Sequence, residues 1–254
     1  MAAAFRVDGK VALVTGGYGG IGEAVCRVLA SSGAKIAIAG HNEEKAAAFA
    51  NTLGGDAYTS RFDVMSVADT ERMVDEVAGH FGRLDILVNC VGLNREEKAG
   101  EVTEEKFDLV LDVNLKGAMF QAQAAARHMI RGGAGGKQVH MGSVRTMLAL
   151  RGRGYAAYCA AKGGLGTMCR QLAAEWAPDK INVNVIAPTF VRTQQVANML
   201  NDPKFYDTLV ARIPLGRIAE PEEVANTVLF FVSPASDFIT GQTLYLDGGI
   251  TTTQ

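Results

Sequence analysis

The sequence predicts an α/β fold in a single domain, with a parallel sheet covered by helices on both faces. Three observations predict it. Short continuous apolar runs alternate with longer stretches of helical periodicity along the whole chain. A glycine-rich turn joins the first such run to the first helical stretch, and no linker-like segment or repeat interrupts the alternation. At 254 residues, one large α/β domain spanning 1–254 accommodates the chain.

The elements follow in order. Lys10 to Thr15 (Lys-Val-Ala-Leu-Val-Thr) is a buried strand, and Ile21, Val25, Val28 and Leu29 mark a helix over about 21–31, closed by Gly33. Ala34 to Ala39 is the second strand, followed by a helix over about 42–53. A third strand near 57–62 and a helix over about 67–81 lead to the fourth strand, Leu84 to Asn89. Thr103 is an N-cap without the full capping box, because the third residue on is Lys106, and its helix runs with a break to about Ile130. Gly132 to Gly136 reads as a loop, and Gln138 to Met141 as the fifth strand. A long helix from about Tyr155 to Trp176 precedes the sixth strand, Ile181 to Ile186. A helical excursion occupies about 194–212, broken at Asn201-Asp202-Pro203. Pro221 stands in the first turn of a helix, where proline is favoured, and Leu244 to Leu246 is a last strand.

Composition excludes several function classes. There are 25 Lys+Arg against 27 Asp+Glu, a formal charge of −2, which argues against nucleic-acid binding as the main role. A 48% hydrophobic content excludes disorder. The apolar runs fall far below the roughly 20 residues of a membrane helix, and Met1 to Gly9 is too short and polar for a signal peptide. Cys26, Cys90, Cys159 and Cys169 show no CxxC spacing and the four histidines no cluster, so neither a metal site nor a disulfide framework is expected. A cytoplasmic protein is expected. Glycine is the odd entry in the composition, at 29 of 254 residues against a usual share of about 7%.

Part of that glycine lies in Thr15-Gly16-Gly17-Tyr18-Gly19-Gly20-Ile21-Gly22, directly after the first strand. Glycines there allow a sharp turn and close approach of a pyrophosphate, which the free N–H groups of the following helix would bind. A tight turn alone would use glycine too, but a strand before, a helix after and a strand at βαβ distance are the context of dinucleotide binding. The second strand ends in Ala39-Gly40-His41-Asn42, with neither the carboxylate that bonds an NAD ribose nor an arginine for a 2′-phosphate. Lacking a repelling acid, and with His41 as a donor, the sequence favours NADP over NAD.

Tyr158 and Lys162 lie four apart on a helix and share one face. An ammonium beside the phenol, and a cationic nicotinamide above it, would lower the tyrosine's ordinary value near 10 toward useful base chemistry. Ser143 follows the fifth strand, where α/β proteins place ligand-binding residues.

With these features the chain resembles the short-chain dehydrogenase/reductase family over essentially its whole length. The resemblance rests on Thr15-Gly-x-x-x-Gly20-x-Gly22, Asp63-Val64, Asn89-Cys-Val-Gly92, Asn114, Ser143, Tyr158-x-x-x-Lys162, and Pro188 with Thr193. It implies a Rossmann-like, doubly wound, seven-stranded parallel sheet and, in most members, a homotetramer. It implies that Tyr158 is the general acid/base, that Ser143 bonds the reacting oxygen, and that Lys162 holds the nicotinamide ribose and tunes Tyr158. Asn114 would seat a water linking Lys162 to solvent. Asp63 and Val64 would border the adenine, Asn89 and Gly92 the adenosine ribose, and Tyr18, Gly19, Ile21, Val191 and Thr193 complete the expected cofactor contacts.

Three departures stand out. The usual Asn-Asn-Ala-Gly reads Asn89-Cys90-Val91-Gly92, and the usual Pro-Gly after the sixth strand reads Pro188-Thr189. The step from Ser143 to Tyr158 is longer than the family pattern. Tyr155 is nearer Ser143, but Cys159 rather than lysine stands four residues beyond it, so Tyr155 is expected to line the pocket. Cys159 reads as a small packing residue in preference to a redox switch.

For the small-molecule substrate, Arg145, Arg151 and Arg153 lie between Ser143 and Tyr158, and Arg95 follows the fourth strand. Guanidinium forks suit carboxylates, and solvated or subunit-contact arginines are the plain alternative. Arg145 and Arg95 are the candidate substrate contacts, with Ser143 and Tyr158. The run Arg145-x5-Arg151-Gly-Arg153-Gly-Tyr155 resembles gluconate 5-dehydrogenase-type members, which implies a sugar acid or polyol. A 3-oxoacyl-[acyl-carrier-protein] reductase is the alternative within the family; its carrier-docking arginines are replaced here by Ala134 and Asp179, although Arg131 and Lys180 are close. A non-catalytic dinucleotide-binding protein would predict damage at Ser143, Tyr158 or Lys162, and all three stand. Residues 190–213 are expected to form a substrate flap, and Phe230-Phe231-Val232 with Leu244-Tyr245-Leu246 to lie in a subunit contact.

Overall fold

The structure is a computed structural model that describes residues 3–54 and 57–253. Among the described residues seven parallel strands form one sheet: β1 (Val11–Thr15), β2 (Lys35–Gly40), β3 (Tyr58–Arg61), β4 (Ile86–Asn89), β5 (Gly136–Met141), β6 (Ile181–Pro188) and β7 (Thr243–Leu246). Their order is β3-β2-β1-β4-β5-β6-β7. The order reverses between β1 and β4, and such a switch point opens a crevice at the carboxyl ends of the strands. The pairing Thr15↔Asn89 and Asn89↔His140 puts three polar side chains side by side at that end.

Among the described residues ten α-helices accompany the sheet: α1 (Gly20–Ser31), α2 (Glu43–Ala50), α3 (Val67–Phe81), α4 (Glu104–Leu111), α5 (Gly117–Gly132), α6 (Ala156–Trp176), α7 (Ala197–Leu200), α8 (Pro203–Val210), α9 (Pro221–Val232) and α10 (Ile250–Thr253). Their boundaries follow from local chemistry. Asn42 caps α2 by accepting from Lys45 N at 2.8 Å, and Thr103 caps α4 by accepting from Lys106 N at 3.3 Å. Pro221 opens α9, where Glu220 and Glu223 form a capping box. Asp202 and Pro203 separate α7 from α8, as their chemistry predicts.

Strand residues alternate between two apolar layers. Val14, Ile38, Val88 and Val139 pack under α1 and α9, and Leu13, Leu87, Val183 and Val185 pack under α3, α5 and α6. Both faces are covered, which is why β1 and β4 are buried end to end.

Two details differ from the sequence reading. The break between α4 and α5 is a π-helical turn over Asp112–Lys116, so the chain stays helical through it. The glycine loop shrinks to 133–135, because α5 reaches Gly132 and β5 starts at Gly136. Among the described residues no helix is long and apolar enough to cross a membrane.

Candidate active site

The turn from β1 into α1 meets the demands of a dinucleotide pyrophosphate. Gly16 has φ +69°, and a Cβ on Gly22 would run into the Gly16 carbonyl oxygen, so the helix packs against the turn only with glycine there. Gly19 is the N-cap and no side chain caps α1, which leaves first-turn N–H groups for an anion. Ile21 lines the cleft, and Thr193 closes over Gly20, where a Cβ would lie 2.6 Å from Thr193 Cγ2.

Along the sheet edge lie the remaining expected cofactor residues. Tyr18 folds across Gly40, accepts from Asn42 N at 2.9 Å and meets His41 Nδ1 at 3.2 Å. His41 and Asp63 are exposed, and Val64 packs against Gly117. Asn89 is buried and its Oδ1 accepts from Thr15 Oγ1 at 3.2 Å and Val91 N at 3.0 Å, fixing the end of β4. Pro188 ends β6, and Val191 bridges to Ala219. An uncapped helix start, a glycine approach and a 2′-side without a carboxylate fit an NAD(P) molecule.

Ser143, Tyr158 and Lys162 meet at the floor of a cleft of ≈ 250 Å³ at the switch point. Ser143 follows β5 and lines the cleft with Tyr158 from α6, and its hydroxyl favours the ionised form of the Tyr158 phenol. The four-residue spacing places Lys162 on the same face, with Nζ 5.7 Å from the centre of the Tyr158 ring. Lys162 is buried and donates to the Met141 carbonyl at 2.7 Å. Burial pushes its pKa down to about 8, against the pull of the Cys90 and Cys169 thiols.

Asn114 comes from the π turn. Its Nδ2 donates to Leu93 O at 2.7 Å and to Val110 O at 2.8 Å, and its buried Oδ1 has no partner among the described residues. Wide turns of this kind recur at functional sites because they re-aim one side chain without ending a helix. Here the turn brings Asn114 to Gly92 and Lys162.

One electrostatic expectation is corrected. Lys162 does not hold the Tyr158 phenol down. Burial dominates and pushes it up to about 12, while the Ser143 hydrogen bond and the Arg145 guanidinium pull it back. Lys162 Nζ donates to the Met141 carbonyl and lies 5.7 Å from the centre of the Tyr158 ring.

The four arginines separate. Arg145 is buried, lines the cleft and donates from Nη1 to Leu148 O at 3.0 Å. Arg153 ion-pairs with Glu96 and lies 5.5 Å over the Tyr155 ring. Arg95 and Arg151 are exposed, and neither lines the cleft. Tyr155 lines it, edge-on to Tyr158 at 6.1 Å. The Cys159 thiol is pushed up by burial, which disfavours the reactive thiolate.

Phe190, Gln195 and Val196 line the cleft from the stretch expected to form a flap, whereas Leu93, Asn94, Met141, Gly142 and Val144 line it without having been singled out in the sequence. They follow β4 or lie at the end of β5, and only that position at a strand's carboxyl end points to them. Phe190, Leu200, Phe205 and Tyr206 pack with Val144, Leu209 and Ile213, tying this segment to the residue after Ser143.

Comparisons with known proteins agree with this geometry. A family model described as enoyl-(acyl carrier protein) reductase matches residues 16–251. D-threitol dehydrogenase of Mycolicibacterium smegmatis is 41% identical over 250 residues, covering 97% of this chain and 95% of that one. The human 3-oxoacyl-[acyl-carrier-protein] reductase is 39% identical over 242 residues, 95% of this chain and 98% of its own. The crystal structure of a gluconate 5-dehydrogenase from Burkholderia cenocepacia, in complex with NADP and tartrate, superposes with TM-score 0.94 at 38% identity over 99% of both chains.

Proposed function

The chain belongs to the short-chain dehydrogenase/reductase family of NAD(P)-dependent oxidoreductases, and we propose that it interconverts a secondary alcohol and a ketone on a sugar acid or polyol. The observation that carries the reading is the convergence of Ser143, Tyr158 and Lys162 in the lining of one cleft, with Lys162 Nζ 5.7 Å from the centre of the Tyr158 ring.

Bound nicotinamide supplies the acceptor or donor of hydride; the protein's own residues position the substrate and move the proton. In oxidation, Ser143 Oγ and Tyr158 Oη hold the substrate hydroxyl, and the Tyr158 phenolate takes its proton. In reduction the Tyr158 phenol returns it to the developing alkoxide, which Ser143 stabilises. Lys162 keeps a positive charge near the phenol and binds the nicotinamide ribose. Asn114 Oδ1 holds a water beside Gly92, which links Lys162 to solvent and resets Tyr158. Gly16, Gly19, Gly20 and Gly22 hold the pyrophosphate, Asp63 and Val64 border the adenine, and Asn89 and Gly92 flank the adenosine ribose. Tyr18 and His41 face the 2′-position, favouring NADP.

Residues 190–213 form the substrate flap, supported by Phe190 and Gln195 on the cleft wall. The protein works in the cytoplasm as a homotetramer. Phe231 and Val232 lie in the protomer core, so of the C-terminal segments named for the contact, half-buried Phe230 and exposed Leu244 offer the apolar surface. Light scattering tests this assembly.

A second reading, reduction of an acyl-carrier-protein thioester, draws on the human relative's activity. Ala134 and Asp179, at the carrier-docking positions, weigh against it. A spectrophotometric screen of aldonates, polyols, ketones and acyl thioesters with NADP and NAD separates the two. Tyr158→Phe tests the mechanism: turnover falls by about 10²–10⁴-fold, and undiminished turnover overturns it.

A further inference from the structure

Arg145 is 6% exposed, yet among the described residues no carboxylate ion-pairs with it. The better-exposed arginines nearby do have such partners: Arg153 has Glu96, Arg192 has Glu220 and Arg217 has Glu223. A guanidinium carries five donors, and the contacts of Arg145's side chain come to one bond, to Leu148 O. Burying a cation without an anion is costly, so such a group marks a place where an anion arrives.

The surroundings sharpen this. The residues lining the cleft include two cations, Lys162 and Arg145, and no aspartate or glutamate. Lys162 is turned to the Met141 carbonyl beneath Tyr158, which leaves Arg145 as the cation on the substrate wall. The positive charge of Arg212, just after α8, bears on Arg145 from the flap side, and the other groups facing it are Tyr155, at the N-cap of α6, and Tyr158 and Cys159 on α6. Arg145 N donates to Ser143 Oγ at 3.2 Å, so one turn of chain carries both this fork and the serine that meets the reacting oxygen.

We infer that Arg145 is the substrate's carboxylate site, so that the enzyme acts on a hydroxy acid and its keto acid and discriminates against the neutral polyol. A planar guanidinium matches a carboxylate through two parallel N–H···O bonds, which a hydroxyl cannot reproduce. A neutral substrate would leave the buried fork unpaired, and that penalty falls on the wrong substrate. The inference rests on the reading of this cleft as a secondary-alcohol site, and it divides that reading's two substrate classes.

The test compares four- to six-carbon aldonates with the aldonamides and alditols of the same skeleton. The readouts are turnover and calorimetric binding to the enzyme–NADPH complex, in which the alcohol does not react. Arg145→Met, which keeps the stem and removes the charge, is expected to weaken aldonate binding and raise its KM by about 10–100-fold. The aldonate-to-alditol ratio of kcat/KM falls by about 10–100-fold, since any effect of the lost charge on Tyr158 is common to both substrates, and Arg145→Lys recovers part of the loss.

Equal aldonate binding by wild type and Arg145→Met overturns the inference, as does a wild type that binds no aldonate or prefers the alditol. A phosphate ester bound more tightly than any carboxylate overturns it too. Failure of the underlying reaction shows separately, as turnover that survives Tyr158→Phe.

Discussion

Asn114 Oδ1 and Lys162 Nζ share one small space beside Gly92: a Cβ added to Gly92 would lie 3.0 Å from the oxygen and 3.4 Å from the nitrogen. Among the described residues the oxygen has no partner, whereas the amide nitrogen of the same side chain is held twice, by Leu93 O and Val110 O. The amide is therefore locked in one orientation, with its acceptor aimed at the region of the ammonium. A water there gains a good acceptor and a charged neighbour, as a proton path requires.

Gly92→Ala tests that path with a single methyl. Gly92 has no positive φ and no other atom within 4 Å of the added carbon, so the backbone tolerates the change. The methyl displaces the water or pushes Asn114 aside. Turnover is expected to fall by about 100-fold, the usual cost of a small misplacement at a reacting centre, with stability changed by less than about 1 kcal/mol. Unchanged turnover would remove this space from the mechanism.

The pH profile follows from Tyr158. Burial pushes its phenol up to about 12, so oxidation, which needs the phenolate, accelerates as pH rises from 7 toward 10. Reduction needs the protonated phenol, which is already present at neutral pH. Arg145 pulls the phenol down, so Arg145→Met moves the oxidation profile to higher pH, and Ser143→Ala does the same by removing a hydrogen bond to the phenolate. Stopped-flow rates in both directions check this. An oxidation rate that falls between pH 7 and 9 contradicts it.

His140 makes the fold sensitive to acid. It is fully buried on β5, neither ring nitrogen has a partner among the described residues, and burial followed by the nearby Lys162 charge pushes it down to about 4. Between its unfolded value near 6.5 and about 4, the unfolded chain binds the proton and the folded chain does not. Stability is therefore complete above pH 6.5 and declines by about 3 kcal/mol as pH falls to 4. Chemical denaturation from pH 7 to 4 reads this slope, and His140→Leu should flatten it whatever that variant's own stability. An unchanged slope would mean that other groups set the acid limb.

Much of this was legible in residues that act locally. The strands declare themselves by continuous apolar runs, because both faces of a parallel sheet are covered, and Tyr158 and Lys162 align through helical spacing alone. The π turn at Asn114 was legible only as a break. Its widened geometry is stabilised by bonds to Leu93 O and Val110 O, and the first of these is tertiary. The four arginines were equivalent in sequence because their sorting depends on distant acids: Glu96, which claims Arg153, lies 57 positions away. His140 looked like an ordinary strand residue, and its isolation follows from the packing of α5 and α6 over β5.

Cofactor choice turns on the end of β2. The Tyr18 ring lies so close to Gly40 that any side chain at that position would strike it, and its hydroxyl is fixed by Asn42 N and His41 Nδ1. A tyrosine and a histidine ring thus stand where an NAD-selective site would carry a carboxylate, and Glu43 and Glu44 sit exposed in the first turn of α2. His41→Asp places a negative charge against an incoming 2′-phosphate. At a partly screened distance of about 4 Å such repulsion is worth roughly 2–3 kcal/mol, so kcat/KM with NADP should fall by about 100-fold. NAD carries a hydroxyl there and gains an acceptor, so its kcat/KM should hold or rise. Because His41 is exposed, the melting temperature should barely move, which separates recognition from folding. Parallel steady-state assays with both cofactors check the split. An equal loss with NADP and NAD would mean that His41 does not face the 2′-position.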